Sequence, residues 1–172
     1  MKMQFTYNIF LIGFMGSGKS TVADYLCEKF GMDVVEMDQV IAERERMSIS
    51  DIFEKHGELY FRDLETKLLV ELQEKSNTVV SCGGGVAMRE CNVAEMKKNG
   101  KVVLLTAKPE TILERVENNH DRPLLENNKT VAYIAELMEK RREKYEAAAD
   151  MIIETDGKSA QKICEEMIQR LG

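Results

Sequence analysis

The chain has 172 residues and a formal net charge of −6, and 44% of its residues are hydrophobic, which suits one compact domain with a buried core. Its acidic balance argues against a nucleic-acid partner, and no apolar run is long enough for a membrane-spanning helix. The four cysteines form no Cys-x-x-Cys pair, so we expect reduced thiols in a cytoplasmic protein and no zinc site. The segment before the first strand, residues 1–7, is too short and polar for a signal peptide, so none is expected.

Short apolar runs alternate with longer segments of helical periodicity along the whole chain. Strands are predicted at residues 8–12, 34–36, 78–81, 101–106 and 151–154. Helices are predicted at residues 19–30, 38–45, 50–55, 59–73, 91–99, 109–117, 130–148 and 159–171. Gly31 and Gly100 are expected to end the helices that precede them. This alternation indicates a parallel sheet covered by helices on both faces.

A glycine-rich loop joins the first strand to the first helix. It has the pattern Gly-x-x-x-x-Gly-Lys-Ser, in which backbone N–H groups and the positive end of the following helix converge on phosphate. The nucleotide is expected to contact Gly16, Ser17, Gly18, Lys19, Ser20 and Thr21. Lys19 would reach the β- and γ-phosphates, and Ser20 would bind Mg²⁺. The alternative is a glycine-rich turn without a ligand, but a lysine at a helix start favours an anionic partner.

Two further motifs follow the second and third strands, at the edge where parallel sheets bind ligands. Glu36 and Asp38 are two residues apart, so one carboxylate could hold metal-bound water while the other accepts a proton. Alternatively, Asp38 caps the next helix. Gly83, Gly84 and Gly85 favour a ligand that touches the backbone, and the alternative is a loose loop or a bulge.

Three arginines stand in unusual places. Arg141 shares a helical stripe with otherwise apolar residues, where a charge needs a partner. Arg62 follows Phe61 near the start of a strongly amphipathic helix, and Arg122 lies in a polar, aperiodic segment at about 117–129 that is predicted to be a lid. Each arginine alone suits a salt bridge or a solvated surface. Arginines from three separate segments are better explained by an anionic substrate, because a guanidinium binds a carboxylate or phosphate through two hydrogen bonds.

Small GTPases read guanine with Asn-Lys-x-Asp. The only Asn-Lys pair here, at Asn128 and Lys129, is not followed by that aspartate. A short chain with a phosphate loop and a lid indicates a small-molecule kinase.

Together these motifs resemble the shikimate kinase family over nearly the whole chain. The likeness includes the phosphate loop, residues 36–38, 57–65 and 81–85, the run Arg122-Pro123-Leu124-Leu125, and Arg141 four residues before Tyr145. It implies a three-layer α/β/α P-loop kinase with a five-stranded parallel sheet of order 2-3-1-4-5 and a mobile lid. It also implies a single domain over 1–172, a shikimate-binding region at about 37–62, and a monomer.

The resemblance also implies roles for individual residues in phosphoryl transfer from ATP to the 3-hydroxyl of shikimate. Asp38 matches the residue that holds the ring hydroxyls and acts as general base, and Arg62 and Arg141 match the pair that binds the carboxylate. The glycines at 83–85, chiefly Gly84, match a backbone segment that holds a shikimate hydroxyl. Arg122 matches the lid arginine at the transferred phosphate, and Arg115 the arginine that stacks on adenine. The turn at residues 155–157 would flank the adenine.

One position departs from the family pattern, because Glu36 stands where the family usually has aspartate. A role toward Mg²⁺ through water tolerates the extra methylene, whereas direct coordination tolerates it less. Ser81 is a second candidate for a contact to metal-bound water. The alternatives are a gluconate or nucleoside-monophosphate kinase of the same build, and a nucleotide-binding module without catalytic activity.

Overall fold

The computed structural model describes residues 5–116 and 130–171. Five parallel strands form one sheet in the order β2-β3-β1-β4-β5, which confirms the predicted fold class and strand order. The strands are β1 (Asn8–Ile12), β2 (Asp33–Glu36), β3 (Thr78–Ser81), β4 (Gly100–Thr106) and β5 (Met151–Glu154). The segment predicted as the lid, including Arg122, lies outside the described residues.

The helices follow the predicted order, with boundaries that differ by at most two residues. They are α1 (Lys19–Phe30), α2 (Met37–Glu45), α3 (Ile49–His56), α4 (Glu58–Glu71), α5 (Glu90–Lys98), α6 (Pro109–Val116), α7 (Val131–Ala148) and α8 (Ala160–Leu171). Two short 3₁₀ turns, Leu72–Glu74 and Val86–Met88, were not predicted. The second turn follows the three glycines directly.

The sheet separates two hydrophobic layers, as period-two alternation along a buried strand requires. In β1, Phe10 and Ile12 belong to the layer that contains Phe61, while Ile9 and Leu11 belong to the opposite layer under α1 and α8. All five residues of β1 are buried. This central strand therefore carries the phosphate loop on a rigid base.

Gly100 does not end α5 as expected. The helix ends at Lys98 with Asn99 as its C-cap, and Gly100 is the first residue of β4. A Cβ atom at Gly100 would lie 2.6 Å from Cδ2 of Phe10 and 2.8 Å from the Met96 carbonyl oxygen. The glycine is therefore required because an aromatic ring and a helix end pack against its Cα.

The carboxyl ends of three neighbouring strands meet at one edge of the sheet. Strand pairing places Glu36 of β2 beside Ser81 of β3, and Ser81 beside Leu11 of β1. The phosphate loop, the two carboxylates and the glycine loop consequently come together. None of the described helices is long and apolar enough to cross a membrane.

Candidate active site

The phosphate loop wraps around the side chain of its own lysine. Gly18 has φ 101° and ψ 14° at the N-cap of α1, a left-handed conformation that glycine adopts without steric cost. Lys19 is buried, and its Nζ donates to the carbonyl oxygens of Gly13 at 2.7 Å and Phe14 at 3.2 Å. These contacts hold the ammonium group beneath the loop at the start of α1.

A cleft of about 670 Å³ connects the phosphate loop to the ends of β2 and β3. Most of the predicted site residues line it, namely Gly16, Gly18, Lys19, Ser20, Thr21, Glu36, Asp38, Ser81, Gly83, Gly84 and Arg115. Ser17 lies elsewhere, because its side chain is 1% exposed and lines a separate cavity behind the loop. The cleft thus joins residues from the predicted nucleotide, metal and acceptor sites.

The residues predicted to hold the metal or its water, Ser20, Glu36 and Ser81, all offer oxygen atoms and line the same cleft. Burial raises the pKa of the Glu36 carboxyl, while hydrogen bonds from Ser20 and Ser81 oppose this effect. No group of three or more His, Cys, Asp and Glu side chains that could hold a metal occurs within 5–116 and 130–171. The arrangement therefore suits a cation that takes few ligands from the protein and keeps its waters, as Mg²⁺ does.

Asp38 lies in the first turn of α2 and is not its cap. The N-cap of α2 is Glu36, without a side-chain capping bond. Asp38 lines the cleft instead, and its Oδ1 would be 2.8 Å from a Cβ placed on Gly83. The capping alternative is therefore wrong, and the carboxylate faces the glycine loop.

Glu65 is a charged residue of the site to which the sequence analysis gave no role. Its side chain is fully buried, and its Oε1 accepts a hydrogen bond of 2.9 Å from Nη1 of Arg62. Burial raises the pKa of Glu65 to about 7, although the charge of Arg62 acts in the opposite direction. The sequence feature that could have identified Glu65 is its position between Phe61 and Leu68 on the apolar face of α4, where a carboxylate is unusual.

Arg62 is held by two carboxylates of its own helix. Its side chain is 14% exposed, and besides Glu65 it contacts the exposed Glu58, with 3.2 Å from Nε to Oε2. Its guanidinium also lies 5.3 Å from the ring centroid of Phe61. Arg62 is thus oriented before any ligand binds, which lowers the entropy lost on binding an anion.

Charged side chains pack directly on the three glycines. A Cβ on Gly83 would lie 2.9 Å from Glu65 Oε2, one on Gly84 3.0 Å from Arg141 Nη1, and one on Gly85 2.7 Å from Arg62 Nη2. A side chain at any of the three positions would displace one of these charged groups. The glycines therefore let the site's charged groups approach the backbone closely, in addition to any contact with a ligand.

Helix α7 supports the glycine loop from the other side. Tyr145 donates its phenolic hydrogen to the Gly84 carbonyl oxygen, and the guanidinium of Arg141 lies 5.8 Å from the ring centroid of Phe14. Nη1 of Arg141 is buried and makes no hydrogen bond within the described residues. A buried donor without an acceptor is costly, so Arg141 is suited to bind an anionic group.

Arg115 lies at the end of the cleft beside the phosphate loop. Its Nη1 donates to the Gly16 carbonyl oxygen at 2.9 Å and to Thr155 Oγ1 at 3.2 Å. The neighbouring Asp156 accepts a hydrogen bond of 2.6 Å from Thr111. Arg115 and the turn after β5 therefore lie together beside the phosphate loop.

Comparison with known proteins gives a consistent family assignment. The family model described as shikimate kinase matches residues 15–172. A shikimate kinase of Persephonella marina is 46% identical over 164 residues, which are 95% of this chain and 98% of the relative. A shikimate kinase of Dehalococcoides mccartyi is 40% identical over 169 residues, which are 98% and 96% of the two chains.

Solved structures agree with this assignment. The shikimate kinase from Acinetobacter baumannii in complex with shikimate has a TM-score of 0.90 at 33% identity, covering 96% of this chain and 92% of that one. The Aquifex aeolicus shikimate kinase has a TM-score of 0.81 at 38% identity, covering 95% of each chain. A Janibacter sugar kinase shares only the fold, with 16% identity, a TM-score of 0.60, and coverage of 96% and 94%.

Proposed function

The chain belongs to the shikimate kinase family, and on this basis we propose how its residues transfer the γ-phosphoryl group of ATP to the 3-hydroxyl of shikimate. The products are shikimate 3-phosphate and ADP. The main observation behind this proposal is that four charged side chains pack against the glycine loop beside the phosphate loop. They are the side chains of Asp38, Arg62, Glu65 and Arg141, and the loop is formed by Gly83, Gly84 and Gly85. This arrangement offers an anion-binding pair and a carboxylate within reach of a bound nucleotide.

The acceptor is held at its carboxylate by Arg62 and Arg141, which come from different helices. Guanidinium groups match a carboxylate in shape and charge. Glu65 keeps Arg62 in position, while Tyr145 fixes the Gly84 peptide against which the acceptor rests. Asp38 orients the 3-hydroxyl and accepts its proton as the oxygen attacks the γ-phosphorus.

The donor is held by residues 16–21, with Lys19 compensating the phosphate charge and Arg115 at the adenine. Ser20 would bind the metal ion, and Glu36 and Ser81 would hold its water, since such oxygen groups fit Mg²⁺. When bound, Mg²⁺ would neutralise charge on the β- and γ-phosphates. Arg122 and the predicted lid are proposed to complete the site and exclude water, so that ATP is not simply hydrolysed.

A coupled ADP-release assay tests the acceptor. Shikimate, gluconate and a panel of nucleoside monophosphates are supplied with ATP and Mg²⁺, and the product is identified by ³¹P NMR. We expect turnover with shikimate alone and a phosphate ester at its 3-position. Activity restricted to gluconate or a nucleotide would contradict the proposal. ATP binding without turnover for any acceptor would favour a module without catalytic activity.

We further infer that the enzyme acts as a cytoplasmic monomer on two small molecules, without a nucleic-acid or membrane partner. The net charge of −6 supports this inference, because nucleic acids and anionic membranes attract basic surfaces. Light scattering at micromolar concentration, with and without ATP, measures the oligomeric state. A dimer mass under both conditions would contradict the monomer.

A further inference from the structure

A second cavity, of about 370 Å³, lies behind the phosphate loop. It is bounded by the end of β4, the start of α6 and one face of α7, and it shares no lining residue with the nucleotide cleft. Its wall includes Phe14, Leu104, Ala135, Met138 and Tyr145. A mostly apolar cavity of this size falls in the range of small-molecule sites, about 300–1,000 Å³.

One polar atom marks the inner wall of this cavity. Ser17 is 1% exposed and lines it, and its Oγ has no hydrogen-bond partner among residues 5–116 and 130–171. Its backbone N–H is already used, because it donates to the Phe14 carbonyl oxygen at 3.1 Å. Buried hydroxyl groups are nearly always hydrogen-bonded. The Ser17 hydroxyl, which lacks a hydrogen-bond partner among the described residues, therefore marks a position where a polar group of a ligand could form a hydrogen bond.

The charges at the cavity favour a neutral ligand over an anionic one. Arg142 is paired on its own helix, 3.1 Å from Glu139 and 3.3 Å from Glu146. These three are the only charged groups among the described residues that line the cavity, and the two carboxylates outnumber the guanidinium. ATP and carboxylic acids are therefore unsuited to this site, whereas an uncharged molecule avoids the cost of desolvating a charge.

We propose that this cavity is a binding site for a small neutral aromatic alcohol. The ring system lies among Phe14, Met138 and Tyr145, since aromatic rings and a thioether make favourable contacts with an aromatic ligand. The hydroxyl group of the ligand forms a hydrogen bond with Ser17 Oγ. Asp38, Gly83 and Gly84 line the cleft and not this cavity, although Tyr145, which lines the cavity, also donates to the Gly84 carbonyl oxygen.

Binding of 2-naphthol to the complete chain tests the proposal. The protein contains no tryptophan, so naphthol fluorescence can be followed without overlap. We expect saturable binding with a Kd on the order of 0.1 mM for a ligand of this size. The anionic 2-naphthoate should bind at least ~10-fold more weakly because its charge lacks a partner. Saturation with ADP and shikimate should leave naphthol binding unchanged.

Three variants locate the site. Ala135→Phe fills the cavity and should abolish binding, whereas Ala132→Phe adds the same ring at an exposed position of the same helix and should bind like the original chain. Ser17→Ala should weaken binding about three- to tenfold, the loss of one hydrogen bond. Equal affinity in Ala135→Phe, displacement by ADP, or an absence of saturable binding would each overturn the proposal.

Methyl NMR of the unmodified chain keeps the proposal testable if a variant does not fold. Naphthol should shift the methyl signal of Met138 but not that of Met32, which is buried on the opposite face of the sheet. Shifts at Met32 alone, or none at Met138 under saturation, would place the ligand elsewhere and overturn the assignment.

Discussion

Tyr145, near the end of α7, donates its phenolic hydrogen to the backbone carbonyl of Gly84. This contact joins two segments that are 61 positions apart. One of them carries Arg141, and the other is the glycine loop on which Arg141 packs. The hydroxyl of Tyr145 therefore helps to set the distance between the Gly84 peptide and Arg141, the two groups proposed to bind the acceptor.

Tyr145→Phe removes only this hydroxyl. We expect the shikimate KM to rise about two- to tenfold, the value of one hydrogen bond, with a smaller change in kcat because the phosphate loop is untouched. Steady-state kinetics measure both constants. Tyr25→Phe, on the opposite face of the sheet, is the control and should have normal constants. A normal KM in Tyr145→Phe would show that the glycine loop does not need this support.

Arg62→Lys keeps the positive charge but removes the planar guanidinium group, which can donate two hydrogen bonds to one carboxylate. Loss of one charged hydrogen bond, about 1.5–3 kcal/mol, should raise the shikimate KM roughly 10- to 100-fold. The ATP KM should not change, since Arg62 belongs to the acceptor side. Arg44→Lys, in an exposed ion pair with Glu71, is the matched control. An unchanged shikimate KM would remove Arg62 from the carboxylate site.

The buried Glu65 predicts a specific dependence of stability on pH. Its folded pKa is raised to about 7 from 4.5, so the folded state binds the proton more tightly than the unfolded state. Glu65 therefore adds stability that is complete below about pH 4.5 and is lost as pH rises through 7. Over this range, the unfolding free energy should fall by up to about 3 kcal/mol through this group.

Glu65→Gln removes the titrating group and should flatten this part of the pH profile. Urea unfolding at half-unit steps from pH 4.5 to 8 measures the slope. Glu58→Gln, which removes the exposed carboxylate on the same arginine, retains Glu65 and should keep the original slope. If Glu65→Gln and the original chain have parallel profiles, Glu65 does not titrate in this interval.

Glu36 should act on Mg²⁺ through water. Glu36→Asp shortens the side chain and should change the Mg²⁺ concentration for half-maximal activity by less than about threefold, whereas Glu36→Ala should raise it roughly 10- to 100-fold, as for other groups that hold metal-bound water. Mn²⁺ binding in the presence of ADP, followed by electron paramagnetic resonance, gives the affinity independently of turnover. Equal losses in both variants would indicate direct coordination.

Gly100→Ala should reduce stability without affecting catalysis. The added methyl group would overlap the ring of Phe10 and the carbonyl oxygen of Met96, and such overpacking costs about 1–3 kcal/mol. Urea unfolding should show this loss, while the KM values for ATP and shikimate stay normal. Lys101→Ala, at the exposed next position of β4, is a control and should stay within about 0.5 kcal/mol of the original chain. A loss below about 0.5 kcal/mol at Gly100 would mean that Phe10 moves aside freely.

Patterns within short segments of the sequence were enough to predict the architecture and most of the proposed site. Apolar runs and helical stripes depend on neighbouring residues, so the five strands and the alternation of β and α could be assigned without coordinates. The phosphate loop, Glu36, Asp38 and the three glycines were found because each follows a strand directly. Parallel strands end at a common edge, which brings such residues together in any sheet of this kind.

Only the tertiary structure decided which groups touch across that edge. In the sequence, Glu65 is only a charged residue on an otherwise apolar helix face. In the fold, its Oε1 accepts a hydrogen bond from Arg62 and its Oε2 lies beside Gly83. Gly100 was predicted to end α5, whereas it begins β4 with Phe10 packed on it, and the position of the Ser17 hydroxyl behind the phosphate loop could not be predicted from the sequence. These contacts join residues that are far apart in the chain, and their distances follow from close packing between helices and sheet, which no local pattern encodes.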